Sequence, residues 1–235
     1  MAGFQFKQFS ITQERTAMKV GTDGVLLGAW ANCEQTSTIL DIGTGTGLVS
    51  LMLAQRSTAQ ITAVEIDSDA CNDAQENFSL SKWSNRIELQ NIAIQTFAAS
   101  CTYQFDLIVC NPPFFSNSLK TPNQSRNRAR HDDGLPTCEL FACAEKLLSP
   151  AGLFTVIIPH DKLESYISEA KKNNLQVQRV MHIKPTPTAD YKRALVEFCR
   201  NAGTSTTTEM IIEDKGRHGY SDQYINLTHN FYLKF

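Results

Sequence analysis

The chain has 235 residues, of which 42% are hydrophobic and 20% charged, as is usual for a globular protein with a sizeable core. Its net charge of −2 excludes a general polyanion-binding protein, which would be basic overall, so any nucleic-acid site must be a local patch. The seven cysteines form no C-x-x-C pair, so we expect no metal site. There is no signal-like start at Met1–Lys7 and no run of roughly 18 apolar residues, which predicts a cytoplasmic protein without a membrane partner.

Apolar, β-branched runs alternate with segments of helical spacing after the first ~35 residues. This alternation predicts a parallel sheet that is covered by helices on both faces. The predicted strands are Thr38–Ile42, Gln60–Glu65, Arg86–Gln90, Phe105–Cys110 and Leu153–Pro159, and the predicted helices are Leu48–Gln55, Asp69–Leu80, Pro136–Leu148 and Lys162–Asn174.

The two ends of the chain add further elements. A helix is predicted over Asp23–Ala31, with Thr22 or Asp23 as its N-cap. The runs Val177–Ile183 and Ala194–Arg200 are joined by a segment too short for a crossover helix, so they should be antiparallel. A strand is also expected at 210–213. A mostly parallel, seven-stranded sheet with a terminal antiparallel hairpin is the α/β, Rossmann-like layout of class I S-adenosylmethionine (SAM)-dependent methyltransferases.

A glycine-rich loop follows the first predicted parallel strand. It contains Gly43, Gly45 and Gly47, and glycines let a backbone approach a ligand closely. Leu48 stands where the third glycine of a dinucleotide loop would be, so the spacing suits a cofactor without a pyrophosphate. Asp41, just before the loop, can reach the loop amides or the ammonium group of such a cofactor.

Residues after the next two strands complete the predicted cofactor site. Glu65 ends the second strand, where a carboxylate can accept hydrogen bonds from a ribose diol, and Ile66 follows it. After the third strand, methyltransferases of this fold usually have an Asp that binds the adenine amino group. Asn91 takes that position in one register and Ala93 in the other, and the backbone amide of Ile94 can contact the adenine.

The fourth strand runs directly into Asn111, Pro112, Pro113 and Phe114, which are predicted to be the catalytic residues. The prolines fix a rigid turn. The Asn111 side-chain carbonyl and the Pro112 backbone carbonyl can each accept one N–H of a planar amino or amide nitrogen. That draws the nitrogen toward tetrahedral geometry, so that its lone pair can attack a sulfonium methyl group. Phe114 then offers a flat face for the target group.

A local basic patch follows this turn, and a short charge run of this kind is otherwise a solvated surface loop. Arginine suits phosphate contacts and base stacking, so we expect a substrate-binding role. Lys184, near the antiparallel hairpin, extends the patch, and the four histidines at 160, 182, 218 and 229 show no clustering in the sequence. The predicted substrate-binding residues are Phe114, Arg126, Arg128, Arg130, His131, Lys192 and Arg193.

Four stretches together resemble the bacterial tRNA adenine-N6 methyltransferases that modify adenine 37 of a valine tRNA, and the resemblance covers essentially the whole chain. They are Met18–Trp30, Asp41–Gly47, Asn111–Phe115 and Ala129–His131. The resemblance implies SAM as methyl donor, S-adenosylhomocysteine as product, a flipped adenine of a tRNA anticodon stem-loop as substrate, and a role for Lys19, Thr22 and Asp23 in closing the cofactor site. The position near Ala93 departs from the family pattern.

We therefore expect one methyltransferase domain, acting as a monomer. It would comprise an N-terminal extension at 1–36, a SAM-binding catalytic core at 37–200 and a C-terminal extension at 201–235. Three alternatives stay open: methylation of a glutamine amide in a release factor, methylation of guanine N2 in ribosomal RNA, and a SAM- and RNA-binding protein without activity. The short segment before the glycine loop disfavours the first, and the intact Asn-Pro-Pro-Phe turn disfavours the last.

Overall fold

A computed structural model describes residues 3–16, 18–113 and 135–234. Its strands are β1 (Phe4–Gln5), β2 (Ser10–Ile11), β3 (Thr38–Ile42), β4 (Gln60–Glu65), β5 (Ile87–Asn91), β6 (Phe105–Cys110), β7 (Leu148–Pro159), β8 (Gln176–Lys184), β9 (Arg193–Cys199) and β10 (Thr206–Ile211). Its α-helices are α1 (Thr22–Trp30), α2 (Leu48–Arg56), α3 (Ser68–Leu80), α4 (Ile94–Ser100), α5 (Thr137–Leu147), α6 (Leu163–Lys172) and α7 (Asp222–Thr228).

One large sheet organises the fold, with the strand order β10-β8-β9-β7-β6-β3-β4-β5. The strands from β5 to β7 are parallel, and β9 is antiparallel to both of its neighbours, β7 and β8. The predicted α/β class and the antiparallel hairpin are confirmed. The sheet has eight strands instead of seven, because β10 pairs in parallel with β8 at the sheet edge.

One local prediction is wrong, and two helices were not predicted. Gly21 precedes α1 and no side chain caps this helix, so the predicted Thr22 or Asp23 cap is wrong. The Asp23 carboxylate instead accepts a hydrogen bond from Arg193 at 2.8 Å, which takes it away from the helix amides. Helices α4 and α7 have only seven residues each, too short for a clear hydrophobic period, and neither was predicted.

Two apolar clusters cover the sheet. Side chains alternate along β6, so Leu107 and Val109 join one cluster while Ile108 and Cys110 join the other. This double burial explains the continuous apolar runs that identified the parallel strands. At the chain ends, Phe6 forms an antiparallel bridge with Tyr232, which joins the N-terminal segment to the C-terminal one.

Within the described residues, no helix is long and apolar enough to cross a membrane.

Candidate active site

The predicted site residues lie at one edge of the sheet because parallel strands end together there. Ile42 is level with both Val64 and Cys110, so the glycine loop after β3 lies beside the ends of β4 and β6. Glu65 pairs with Asn91 across β4 and β5. The sheet register therefore brings the glycine loop, Glu65, Asn91 and Asn111 to neighbouring strand ends.

The glycine loop has a backbone that other residues rarely adopt. Gly43, Gly45 and Gly47 have φ values of 69°, 57° and 81°. A Cβ on Gly43 or Gly45 would meet no atom within 4 Å, so this part of the loop faces open space. A Cβ on Gly47 would lie 2.3 Å from the Phe78 ring, so this glycine is required by packing.

Asp41 supports the loop from beneath. Its buried carboxylate accepts hydrogen bonds from the hydroxyls of Thr44 and Ser50, both at 2.7 Å. Burial raises the pKa of Asp41 to about 6, and the two hydroxyl hydrogen bonds oppose that rise. Asp41 therefore binds the Thr44 hydroxyl of the loop and both the hydroxyl and the backbone amide of Ser50 in α2.

The Glu65 carboxylate is also turned toward backbone amides. It accepts hydrogen bonds from the amides of Gly45, Ile66 and Asp67, each at 2.9 Å. This bridges the glycine loop to the end of β4. The neighbouring Ile66 side chain is 71% exposed, which leaves a bare apolar surface beside the carboxylate.

Asn91 forms hydrogen bonds with the backbone at the end of β4. Its side-chain amide donates to the backbone carbonyls of Glu65 at 3.0 Å and Ile66 at 3.3 Å, and Ser68 donates to its carbonyl at 3.2 Å. Ile94 is buried and begins α4, with Ala93 as the N-cap. The structure thus places Asn91, rather than Ala93, in contact with the Glu65 segment.

The turn after β6 contains a polar atom with no hydrogen-bond partner among the described residues. The Asn111 side-chain oxygen is buried, and no group in 3–16, 18–113 or 135–234 donates a hydrogen bond to it. Pro112 is buried and Pro113 is exposed. A buried carbonyl without a donor costs free energy, so its presence at the sheet edge indicates a site that a bound N–H group would complete.

The N-terminal segment lies against this site through contacts that the sequence did not reveal. Buried Asp73 in α3 accepts hydrogen bonds from the backbone amides of Arg15 at 3.0 Å and Thr16 at 2.9 Å. Buried Asn77 exchanges two hydrogen bonds with the Thr12 backbone, at 2.7 and 2.8 Å, and donates a third to Thr46 at 2.9 Å. Helix periodicity assigns both residues to the buried face of α3 but gives no sign of their partners.

The residues predicted to close the cofactor site are fixed in different ways. Lys19 donates to the backbone carbonyl of Gln13. Asp23 forms an ion pair with Arg193, so a predicted cofactor residue and a predicted substrate residue bind one another. Thr22 and Lys192 are exposed.

The interpretation that the histidines do not cluster is wrong. His160 Nε2 and His182 Nδ1 are 2.9 Å apart, because the ends of β7 and β8 converge on either side of β9. The remaining substrate predictions lie outside the described residues: Phe114, Arg126, Arg128, Arg130 and His131.

Comparison with known proteins identifies the family. The methyltransferase small domain model matches residues 20–183. A tRNA1(Val) (adenine(37)-N6)-methyltransferase from Parabacteroides distasonis is 44% identical over 231 residues, covering 98% of both chains. A protein of the same name from Phocaeicola vulgatus is 47% identical over 230 residues, covering 98% of this chain and 97% of the relative. The chain belongs to this methyltransferase family.

Solved structures agree with the fold of the family. A predicted O-methyltransferase from Agrobacterium tumefaciens superimposes with a TM-score of 0.70 at 18% identity, covering 89% of this chain and 96% of that one. At this identity the likeness shows the fold alone, that of a class I methyltransferase. Membership in the methyltransferase family implies SAM as the methyl donor.

The methyltransferase site fits that donor. Gly43 and Gly45 leave open space above the loop, and the Glu65 carboxylate at the adjoining strand end can accept from a ribose diol. The exposed Ile66 side chain offers an apolar face for an adenine ring. SAM held by these residues would supply an electrophilic methyl group.

Proposed function

We propose that this methyltransferase transfers a methyl group to N6 of an adenine in tRNA, namely adenine 37 of a valine tRNA. The relatives that share 44–47% of its residues over nearly its full length carry that name. Within the structure, the proposal depends above all on the buried Asn111 oxygen beside the glycine loop, which has no hydrogen-bond donor in the described part of the chain.

Asn111 and Pro112 bind and orient the target amine in this proposal. The Asn111 side-chain oxygen accepts one N–H of the amino group, and the Pro112 backbone carbonyl accepts the other. The amino nitrogen loses conjugation with the purine ring, and its lone pair becomes available for in-line attack. Because β6 and the two prolines hold these acceptors in place, their alignment requires no reorganisation during the reaction.

The nitrogen needs no base before it is methylated. An exocyclic amine is neutral, and it becomes cationic only when the new N–C bond forms. The proton then leaves an acidic ammonium-like centre and passes to solvent. The nearby Asp41 carboxylate is buried and held by two hydroxyl donors, so we assign it to support of the loop rather than to proton transfer.

The cofactor assignments are part of the same proposal. Glu65, Ile66 and the glycine loop hold the nucleoside, with Asn91 fixing the Glu65 segment and the Ile94 amide facing the adenine. Lys19, Thr22 and Asp23 close the site from the N-terminal side. Asp73 and Asn77 position that N-terminal segment, because their hydrogen bonds tie it to α3 and to Thr46 of the loop.

We also propose one domain that acts as a cytoplasmic monomer on the anticodon stem-loop. The extensions at 1–36 and 201–235 support this organisation through the Phe6–Tyr232 bridge and the addition of β10 to the sheet. Lys192 and Arg193 lie at the same sheet edge as Asn111, where they can contact RNA. The monomer is tested by the molar mass of the protein in light scattering.

Substrate class is tested by offering labelled SAM with bulk tRNA, ribosomal RNA or a release factor. The proposal predicts label in the tRNA fraction. Label confined to ribosomal RNA would indicate guanine-N2 methylation instead, and label confined to the release factor would indicate glutamine-amide methylation. SAM binding without label in tRNA, ribosomal RNA or the release factor would indicate a binding protein without activity.

A further inference from the structure

A cluster of half-buried aromatic and basic side chains lies where β7, β8 and β9 end. His160 and His182 are joined by a 2.9 Å hydrogen bond and are called the histidine pair below. The Tyr191 ring stacks on His160 at 5.0 Å between centroids and lies 5.2 Å from His182. Lys184 lies over the Tyr191 ring, with its ammonium 4.7 Å from the centroid.

The cluster is held in place from several elements. The Tyr191 hydroxyl donates to Glu209 of β10 at 2.6 Å, and the sheet register places Glu209 next to His182. The backbone amide of His160 donates to the carbonyl of Lys192 at 3.1 Å. The imidazoles are therefore fixed relative to each other while part of each remains open to solvent.

The geometry of the histidine pair determines what it can bind in each protonation state. In the neutral pair one ring nitrogen donates to the other, which leaves one outer nitrogen as donor and one as acceptor. One added proton makes both outer nitrogens donors and gives the pair a positive charge. The pair thus changes from a mixed polar surface to an anion-binding one by gaining a single proton.

The surroundings favour a phosphate rather than a metal ion. Lys184 and exposed Lys192 bring positive charge, and Arg193 follows directly, although its guanidinium is paired with Asp23. The negative groups nearby are Glu209, which is bound to Tyr191, and the chain neighbours Asp161 and Asp190. Within the part of the chain that the structure describes, no group of three metal-ligating side chains occurs.

The histidine pair lies at a distance from Asn111 that one RNA strand can span. Along the sheet, β8 is separated from β6 by β9 and β7, about 14 Å at the usual strand spacing. Asn111 and the histidine pair all lie at the sheet edge where β6, β7 and β8 end. A nucleic-acid strand carries about one charge per 3.4 Å of helix axis, so several consecutive phosphates cover this span.

We propose that the histidine pair, carrying one added proton, binds a phosphate of the RNA substrate a few nucleotides from the target adenine. This inference rests on the proposed function, since it requires an RNA substrate. Tyr191 and Glu209 hold the pair in place, and Lys184 and Lys192 add attraction at longer range. The pair makes RNA affinity depend on pH, while the methyl-transfer site itself is unchanged.

The direction of this dependence follows from charge. Burial, and then the positive charge of His160, lowers the pKa of His182 in the free protein, and Glu209 partly opposes this. A bound phosphate favours the charged pair, so RNA binding takes up a proton. Affinity is therefore higher at low pH and falls as pH rises, by at most tenfold per pH unit for one proton.

The test is the dissociation constant of a labelled valine tRNA transcript between about pH 6 and pH 8 at fixed ionic strength, since salt alone changes RNA affinity. His160→Gln and His182→Gln are compared with wild type. His218→Gln is the matched control, because His218 is exposed and lies outside the cluster. We expect wild type and the control to weaken several-fold with rising pH, and both pair variants to lose this dependence while matching wild type near pH 8.

Several outcomes would overturn the inference. One is a pH profile of wild type that the pair variants reproduce. Another is an equal loss of affinity in those variants at every pH, which would indicate a structural role. SAM affinity and the melting temperature, measured on the same variants, report whether folding is intact. If wild type methylates tRNA but the pair variants show the same pH dependence of RNA affinity, only this inference fails. If wild type methylates no RNA, the proposed function fails.

Discussion

Replacing Asn111 with alanine separates the contribution of this residue to catalysis from its contribution to stability. Among the described residues no group donates to the buried Asn111 side-chain oxygen, so this carbonyl carries a desolvation cost that no described contact offsets. Asn111→Ala removes both that cost and one of the two acceptors for the target nitrogen. We therefore expect a protein that is more stable and much less active.

The magnitudes follow from the same contacts. An unsatisfied buried polar group costs about 1–3 kcal/mol of stability. Truncating the side chain removes this cost but leaves a small cavity, which offsets part of the gain. The net gain is about 1 kcal/mol, which raises the melting temperature of a chain of this length by about 2–4 °C. Loss of one preorganised hydrogen-bonding group lowers kcat by about 10²–10³-fold.

Asn77→Ala is the matched control, since it is also a buried asparagine near the glycine loop. Its amide forms three hydrogen bonds, to Thr12 in both directions and to Thr46. At about 1 kcal/mol each, their loss lowers the melting temperature by about 6–12 °C. Differential scanning calorimetry without ligand and single-turnover methyl transfer give the two quantities for both variants.

The reasoning about Asn111 would be refuted by a variant that melts several degrees below wild type and keeps near-full kcat. That result would mean that the Asn111 amide supports the fold and does not bind the reacting nitrogen. A fall in SAM affinity comparable to the fall in kcat would also contradict it, because the proposed contact is with the substrate amine.

Three further predictions concern the cofactor loop. Glu65→Ala should weaken SAM binding by at least tenfold in calorimetry, because both the ribose acceptor and the bridge to Gly45 are lost; unchanged affinity would contradict the assignment. Folding raises the pKa of Asp41 to about 6 from an ordinary value of 3.8. The free energy of unfolding of wild type, measured in urea, should therefore fall relative to that of Asp41→Asn as pH rises from about 4 to about 6. The opposite trend would refute burial as the cause of the raised pKa. Gly47→Ala should unfold at lower temperature than Gly45→Ala, which shares its positive φ, because only the former puts a Cβ against Phe78, and equal melting temperatures would contradict that packing.

The sequence predicted most strongly those features that depend on strand order. Continuous apolar runs identified β3, β4, β6 and β7, because both faces of these strands are buried. Parallel strands must end together, so Glu65 and Asn111 were correctly assigned to the same sheet edge as the glycine loop.

Features that depend on partners distant in the chain were not predictable. The Asp23–Arg193 ion pair spans 170 residues and changes how α1 begins. The histidine pair forms because β9 brings the ends of β7 and β8 together, and neither histidine has a sequence neighbour that indicates it. The strand predicted at 210–213 begins four residues earlier in the structure, as β10. The sequence did not indicate this start because Thr206–Thr208 are polar and exposed at the sheet edge, where burial gives no pattern.

The central claim is the identity of the methylated nitrogen. It is tested most directly by incubating the protein with SAM and an unmodified valine tRNA transcript, then analysing the nucleosides by mass spectrometry. A transcript with guanine in place of adenine 37 is the control. The account predicts one N6-methyladenosine per adenine-37 transcript and none in the control. Methylation of both transcripts to the same extent, or of neither, would contradict it.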